Sequence, residues 1–255
     1  MICVEQREIS TIPALHVVKQ ELSEYKLPLV LFIHGFTSAK EHNLHYAYLL
    51  AEKGYRVILP DVLYHGERSH GHNEAELSLR FWEIVLHTIG ELNILKEELE
   101  QAGLIDASRI GIAGTSMGGI VTLGAMSTYQ WIGAAVSLMG MPYYEKFAEM
   151  QIAQLQKKGV KIPLSDAQIT HLFTQIKEFD LSAQPEKLNG RPLLFWHGVK
   201  DQTVPYTPTH RFYENILPMY SHSPEKLHFI TDQRAGHKVS REGLLQTVNW
   251  FEKFV

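Results

Sequence analysis

The stretch RIGIAGTSMGG, residues 109–119, places Ser116 between Gly114 and Gly118. It follows a short apolar run typical of a buried strand and precedes a helical stretch, GGIVTLGAMSTYQ. A sharp turn from strand to helix needs neighbours without side chains, and it leaves the serine hydroxyl exposed above the sheet. A tight turn with a helix-capping serine is the simpler alternative, but the context favours a nucleophile for acyl transfer.

A serine hydroxyl is a weak nucleophile, so this interpretation requires a histidine base and a carboxylate at the ends of other strands. In PLLFWHGVKD an apolar run leads through a glycine turn to Asp201, and in LHFITDQRAGHKVS the next run leads to His237. The order Ser116, Asp201, His237 is the order expected for a serine in such a turn. Asp232, on the same strand end as His237, and Asp180 are the alternative acids.

Negative charge develops on the carbonyl oxygen during acyl transfer, and it requires hydrogen-bond donors that are fixed in advance. We expect one donor to be the backbone N–H of Met117, at the start of a helix whose dipole adds to the effect. We expect the other in the loop HGFTSAKE, where Gly35 lets the chain turn and the N–H of Phe36 points inward. The Phe36 ring is also a candidate for the wall of a substrate pocket.

Short apolar runs alternate with longer amphipathic stretches along most of the chain. The runs are too short for helices and too continuously apolar for half-exposed strands, so they indicate a parallel sheet covered on both faces. The predicted strands are Leu29–Ile33, Arg56–Leu59, Arg109–Ala113, Ala134–Met139, Pro192–Trp196 and Leu227–Thr231, with an antiparallel edge hairpin at Val4–Ile9 and Ala14–Lys19. Capping signals at Ser38, Asn73 and Ser240 indicate helix starts. The pattern predicts an α/β fold with a mostly parallel, doubly wound sheet flanked by helices, which binds ligands at the carboxyl ends of its strands.

The interval 141–191 has no parallel-strand run and contains two helical stretches, 143–157 and 167–179, the second after a capping box at Ser165. Loops of this length are usually functional. We expect a helical cap that roofs a small apolar acyl pocket and favours short acyl chains; packing of both helices on the rest of the fold is the plainer alternative. The candidate substrate-binding residues are Phe36, His65, Met139, Met141, Phe147, Met150 and Phe173.

Composition limits the classes of function. The 255 residues are 45% hydrophobic and 20% charged, with a net charge of −4, and no cluster of lysine and arginine suggests nucleic acid or an anionic membrane as a partner. Cys3 is the single cysteine, the N-terminus does not resemble a signal peptide, and no apolar run approaches the roughly 20 residues of a membrane helix. We expect a cytoplasmic protein with one domain, residues 1–255, and the cap inserted at 141–191.

Three histidines, His65, His70 and His72, follow a predicted strand in DVLYHGERSHGH. Imidazole is a common metal ligand, but no other required ligand is apparent. We therefore interpret these histidines as structural or pocket-lining residues, and we expect neither a metal nor a cofactor.

Four motifs, HGF at 34–36, GTSMGG at 114–119, HGVKD at 197–201 and GH at 236–237, together resemble the α/β-hydrolase superfamily. The chain is most similar there to small bacterial esterases of the dienelactone-hydrolase and prolyl-oligopeptidase-like type. The resemblance implies Ser116 as nucleophile, His237 as base, Asp201 as its acid, and Phe36 and Met117 as oxyanion donors. Dienelactone hydrolase itself has a cysteine nucleophile, so a lactone substrate is not expected.

We therefore expect a serine hydrolase that cleaves small carboxylic esters, with short acyl chains, through an acyl-enzyme on Ser116. A thioesterase or a peptidase would use the same residues. A binding protein that kept the fold would be expected to lose part of this set. The sequence gives no indication of the oligomeric state.

Overall fold

A computed structural model of the protein describes residues 1–157, 159, 162 and 164–255. Its strands are β1 (Ile2–Ile9), β2 (Ile12–Lys19), β3 (Leu27–Ile33), β4 (Arg56–Pro60), β5 (Ile105–Thr115), β6 (Ala134–Leu138), β7 (Leu193–Gly198) and β8 (Leu227–Asp232). Over these residues they form one eight-stranded sheet in the order β1-β2-β4-β3-β5-β6-β7-β8. β2 pairs antiparallel with β1 and β4, and all other neighbours are parallel. The predicted mostly parallel sheet with an antiparallel edge hairpin is confirmed.

The helices lie on both faces of this sheet. They are α1 (Leu44–Glu52), α2 (Glu74–Leu79), α3 (Phe81–Gln101), α4 (Met117–Thr128), α5 (Tyr144–Lys157), α6 (Asp166–Lys177), α7 (Tyr206–Ile216) and α8 (Arg241–Phe254). The helix predicted to start after Asn73 forms, but the helical stretch is divided at Arg80 into α2 and α3. Within the described residues, no helix combines the length and the apolar character needed to cross a bilayer.

Alternate residues of β3 contribute to two separate cores. Leu29, Leu31 and Ile33 pack with side chains of α3 and α4 on one face, and Val30 and Phe32 pack with side chains of α1 and α8 on the other. Because successive strand residues point to opposite faces, an unbroken apolar run is what a strand covered on both sides requires. The doubly wound arrangement follows from that pattern.

Three of the four predicted helix caps form. Asn73 and Ser165 each close a capping box, and Ser240 accepts a hydrogen bond from the N–H of Gly243. The box predicted at Ser38 is wrong, because a 3-10 turn at Lys40–Asn43 precedes α1 and its N-cap makes no side-chain bond. The backbone there is held by tertiary contacts instead, since the N–H of Lys40 donates to the Asp61 carboxylate at 3.0 Å.

The chain between β6 and β7 contains α5 and α6, and we call residues 144–177 the α5–α6 segment. The start of α5 is well anchored: Tyr144 and Phe147 are buried, and the Tyr144 hydroxyl donates to the carbonyl oxygen of Ile120 in α4. In α6 the only buried residue is Ile176. The buried residues of these two helices therefore lie mostly at the start of α5, with Ile176 near the end of α6.

Candidate active site

Ser116 occupies the turn between β5 and α4. Its backbone has φ 55° and ψ −114°, a conformation that costs free energy in a residue with a side chain and recurs at functional sites. A Cβ atom on Gly118 would lie 2.1 Å from the carbonyl oxygen of Ile33, and one on Gly114 would lie 2.3 Å from the carbonyl carbon of Gly118. Glycine is thus required on both sides of the serine because α4 passes against the ends of β3 and β5.

Three loops at the carboxyl ends of β5, β7 and β8 bring Ser116, Asp201 and His237 together. His237 Nε2 lies 2.8 Å from Ser116 Oγ, and His237 Nδ1 lies 2.7 Å from Asp201 Oδ2. An ionised carboxylate can only accept, so Nδ1–H donates to Asp201 and leaves Nε2 as the acceptor for the serine O–H. This geometry can move the serine proton to the imidazole.

Asp201 is held as a carboxylate by its surroundings. Burial by itself raises the pKa of Asp201, but hydrogen bonds from His197, His237 and the N–H of Val204 outweigh it and hold the pKa well below its usual range. Oδ1 accepts from the N–H groups of Thr203 at 2.9 Å and Val204 at 3.0 Å. A negative charge beside Nδ1 keeps His237 in one tautomer and stabilises the imidazolium that proton transfer creates.

The two alternative acids have other partners. Asp232 Oδ1 accepts from the N–H groups of Arg234 and Ala235, both at 3.0 Å, which shapes the turn before His237. Asp180 accepts from the N–H of Glu145 at the start of α5, at 3.1 Å. The structure therefore places Asp201, and neither alternative, at hydrogen-bond distance from His237.

The loop after β3 lies directly against the serine turn. A Cβ on Gly35 would lie 3.2 Å from the carbonyl oxygen of Thr115 and 3.5 Å from Ser116 Cβ. Within the described residues, the backbone N–H groups of Phe36 and Met117 donate to no hydrogen-bond acceptor. Two free donors on either side of a serine are what an oxyanion site needs.

A buried ion pair ties that loop to the loop after β4; we call residues 34–40 and 61–67 the braced loops. Lys40 and Asp61 are 1% and 0% exposed, and Lys40 Nζ lies 2.6 Å from Asp61 Oδ2. Burial lowers the pKa of Lys40, but its bonds to Asp61, Glu67 and Glu41 outweigh this and raise it above its usual range. Burial of both charges is tolerated because each is fully hydrogen-bonded.

A cavity of about 550 Å³ opens above Ser116. Its walls come from the loops after β3 and β7 and from helices α2 to α5: they are Phe36, Glu74, Ser78, Phe81, Ser116, Met117, Ile120, Phe147, Met150, Gln151, Ala153, Gln154, Leu155, Gln202, Thr203, Val204 and Pro205. The aromatic side forms a continuous wall, with ring centroids 5.7 Å apart for Phe36 and Phe81 and 6.1 Å apart for Phe81 and Phe147. The volume is in the range of small-molecule sites.

Four of the candidate substrate-binding residues lie outside this wall. β6 ends at Leu138, and Met139 turns with φ 56° into the core on the opposite face of the sheet. Met141 is 1% exposed within the other core, the one formed with α3 and α4, and Phe173 on α6 packs half-buried against that same core. His65 is buried in the braced loops. Of the predicted set, Phe36, Phe147 and Met150 line the cavity.

Several lining residues were missed from the sequence, and some had a usable signal. Ile120 is one helical turn beyond Ser116, so it must face the same way, while Val204 and Pro205 follow Asp201 in its own loop. Phe81 gave no signal, because the amphipathic pattern that contains it is that of an ordinary covering helix. Its place in the wall depends on how α3 crosses the sheet.

The histidines of the loop after β4 do not converge. His70 and His72 each pack edge-on against the Tyr64 ring, at 5.8 and 5.0 Å between centroids. Among the residues that the structure describes, no group of three or more His, Cys, Asp or Glu side chains is arranged to hold a metal ion.

The doubly wound sheet and a serine in the strand-to-helix turn define an α/β hydrolase. Residues 41–255 match the model of the prolyl oligopeptidase family. The chain belongs to that family, as the resemblance of its motifs predicted.

Individual relatives are similar over most or all of the chain. It is 53% identical to the Bacillus subtilis (strain 168) protein named "Putative esterase YitV" over 255 residues, 100% of both chains. It is 33% identical to "Esterase YjfP" of Escherichia coli (strain K12) over 208 residues, 80% of this chain and 81% of that protein. The solved structure of TT1662 from Thermus thermophilus covers 99% of this chain, and 98% of that chain is matched, with a TM-score of 0.76 and 22% identity.

Proposed function

We propose that this protein is a serine esterase that hydrolyses small carboxylic esters through an acyl-enzyme on Ser116. The observation that carries the proposal is the continuous line of hydrogen bonds from Asp201 through His237 to Ser116, at the floor of the cavity. The two relatives whose names describe esterases support the same chemistry.

Each step uses a group already in place. Ser116 Oγ attacks the acyl carbon while His237 Nε2 takes its proton, and the carbonyl oxygen becomes an oxyanion facing the N–H groups of Phe36 and Met117. The imidazolium gives the proton to the departing alkoxide, which leaves as the alcohol. Water then attacks the acyl-enzyme, with His237 again as the base, and the carboxylic acid is released.

The lining of the cavity has an apolar part and a polar part. Phe36, Ile120 and Phe147 form apolar wall, whereas the polar lining residues are Glu74, Ser78, Gln151, Gln154, Gln202 and Thr203. The carbonyl oxygen of the Gln151 side chain already accepts from Trp82 Nε1 at 2.9 Å, so its amide N–H groups remain for a ligand. We therefore place a short acyl chain against the aromatic wall and a polar alcohol towards the glutamines.

The direct test combines a covalent probe with an alanine substitution. A fluorophosphonate should label the native protein at Ser116, and Ser116→Ala should lose both labelling and roughly a million-fold in kcat with an unchanged melting temperature. A hydrolysis panel of nitrophenyl esters of graded acyl length, acyl-CoA thioesters and peptide amides then separates an esterase from a thioesterase or a peptidase. Labelling at another residue, or an active alanine variant, would contradict the mechanism.

A further inference from the structure

The loop after β4 is built around a buried carboxylate. Asp61 is fully buried, and it accepts from the N–H groups of Lys40 and Glu67, both at 3.0 Å, as well as from Lys40 Nζ. Gly66 closes the loop over it with φ 53°, and a Cβ on that glycine would lie 2.1 Å from Asp61 Oδ1. A chain wrapped this closely around a fully bonded charge has little freedom to shift.

His65 extends from this loop to the loop that carries the candidate oxyanion donor. Its Nδ1–H donates to the carbonyl oxygen of Leu63 at 2.9 Å, and its Nε2 accepts from the N–H of Thr37 at 3.0 Å. The imidazole must be neutral to make both bonds. Its ring also meets the Phe36 ring edge-on, with 5.6 Å between centroids.

The backbone that His65 touches is strained. Thr37 has φ 59°, an unusual conformation for a β-branched residue, which persists only where surrounding contacts impose it. The hydrogen bond that the N–H of Thr37 donates to His65 Nε2 fixes the peptide unit that joins Phe36 to Thr37. On the other side, Gly35 packs against the serine turn. The orientation of the Phe36 N–H is therefore determined from both sides.

We propose that His65 is a positioning residue that holds the Phe36 N–H where the oxyanion forms. The inference rests on the proposed serine esterase function. It assigns to His65 a role different from the substrate contact that the sequence suggested, because the buried ring reaches the oxyanion loop and is not part of the cavity wall.

Three substitutions at one position separate the hydrogen bond from the packing. His65→Phe keeps a ring against Phe36 but has no acceptor, His65→Gln places an oxygen near the position of Nε2, and His65→Asn places one only near Nδ1. His70→Phe is the matched control, because His70 is exposed in the same stretch of chain and packs against the Tyr64 and His72 rings. All are assayed with a short nitrophenyl ester, an arylboronic acid, a fluorophosphonate and thermal melting.

We expect His65→Phe to lower kcat by about 10- to 100-fold, less than the loss of a whole oxyanion donor, with KM within about twofold of the native value. The inhibition constant of the boronic acid, whose tetrahedral adduct places an oxygen in the oxyanion site, should rise in step. His65→Gln should keep kcat within about threefold, and His70→Phe should leave every value unchanged. If His65→Phe does not fold, a retained kcat in His65→Gln beside a reduced kcat in His65→Asn carries the same conclusion.

Three results would overturn the proposal: an unchanged kcat in a folded His65→Phe, a higher KM with native kcat, or equal losses in the glutamine and asparagine variants. The second would return His65 to a substrate contact. Failure of the proposed function looks different, because the native protein itself would then not be labelled at Ser116.

Discussion

The braced loops and the α5–α6 segment both border the cavity, but they are held in different ways. The braced loops are fixed by the buried ion pair and by backbone N–H groups that donate to the Asp61 carboxylate. The neutral histidines His34 and His65 also each accept a hydrogen bond from a backbone N–H group. In the α5–α6 segment only Tyr144, Phe147, Ala148 and Ile176 are buried among the described helix residues. Oxyanion donors need fixed positions, whereas a wall that meets the acyl chain can adapt.

This contrast suggests a division of labour between rate and specificity. Groups that act on the transition state lose much of their effect when they are displaced by about 1 Å. A wall residue contributes through area and shape, and its loss is graded. We therefore expect changes in the rigid part of the site to reduce kcat and changes in the α5–α6 segment to alter the choice of substrate.

Among the substitutions that test this contrast, the largest effect is expected at the acid. Asp201→Asn should lower kcat by roughly 10⁴-fold with little change in KM, because an amide at this position favours the wrong imidazole tautomer. Steady-state kinetics with one nitrophenyl ester measure this effect. Asp232→Asn is the matched control, and its kcat should stay within about tenfold of the native value. Asp232 accepts from the N–H groups of Arg234 and Ala235 and so shapes the turn before His237. The opposite ranking would assign the acid to Asp232.

The next prediction tests the buried ion pair between Lys40 and Asp61. Lys40→Met should lower the free energy of unfolding by about 3–5 kcal/mol, because it leaves the Asp61 charge buried without its partner. The equivalent change in an exposed pair, Lys53→Met opposite Glu252 at 2.8 Å, should cost at most about 1 kcal/mol. Urea denaturation of both variants gives the comparison. Equal losses would mean that the braced loops are no more rigid than the surface.

A smaller effect is expected in the α5–α6 segment. Phe147→Leu should shift the preference towards longer acyl chains, since each extra methylene accommodated is worth about 1–3 kcal/mol of discrimination. Phe173→Leu is the same change on α6, outside the cavity, and should leave the acyl-length profile unchanged. The measurement is kcat/KM across a series of nitrophenyl esters. If the acyl-length preference shifted in both variants, or in neither, Phe147 would not be the residue that sets it.

The sequence predicted the features that depend on local pattern. The strand runs, the caps at Asn73 and Ser165 and the glycines around Ser116 each follow from a few neighbouring residues, and all are present. The braced loops could not be predicted in this way. Lys40 and Asp61 are 21 residues apart and belong to no periodic pattern, so their pairing appears only when β3 and β4 lie side by side.

Two of the predicted pocket residues, Met139 and Met141, do not line the cavity, and the reason is related. Met139 and Met141 follow β6, which lies beside the strand that leads to Ser116. This position and the adaptable methionine side chain make them candidates for the pocket. The direction of their side chains depends on where β6 stops, and a positive φ at Met139 turns that residue to the opposite face. A boundary shift of one residue is enough to exchange the two faces of a strand.

The last prediction concerns acid stability, which should depend on the braced loops. Burial lowers the pKa of His34 to about 4, and burial also lowers the pKa of His65. At a pH above about 6.5 each histidine is neutral in both states and contributes no pH dependence. Below it the unfolded chain binds protons that the folded protein does not, so the free energy of unfolding should fall by about 1.4 kcal/mol per pH unit for His34, down to pH 4.

Asp61 and Asp201, whose pKa values are depressed, lose their contribution to the free energy of unfolding only at still lower pH. Urea denaturation between pH 7.5 and pH 5 measures the total slope, to which His16, His45 and His65 also contribute because burial lowers their pKa values. The slope should be flattened by about one proton in His34→Gln. An identical slope in His34→Gln would mean that His34 takes up its proton in the folded protein, although its Nε2 accepts from the N–H of Val62 at 3.1 Å there.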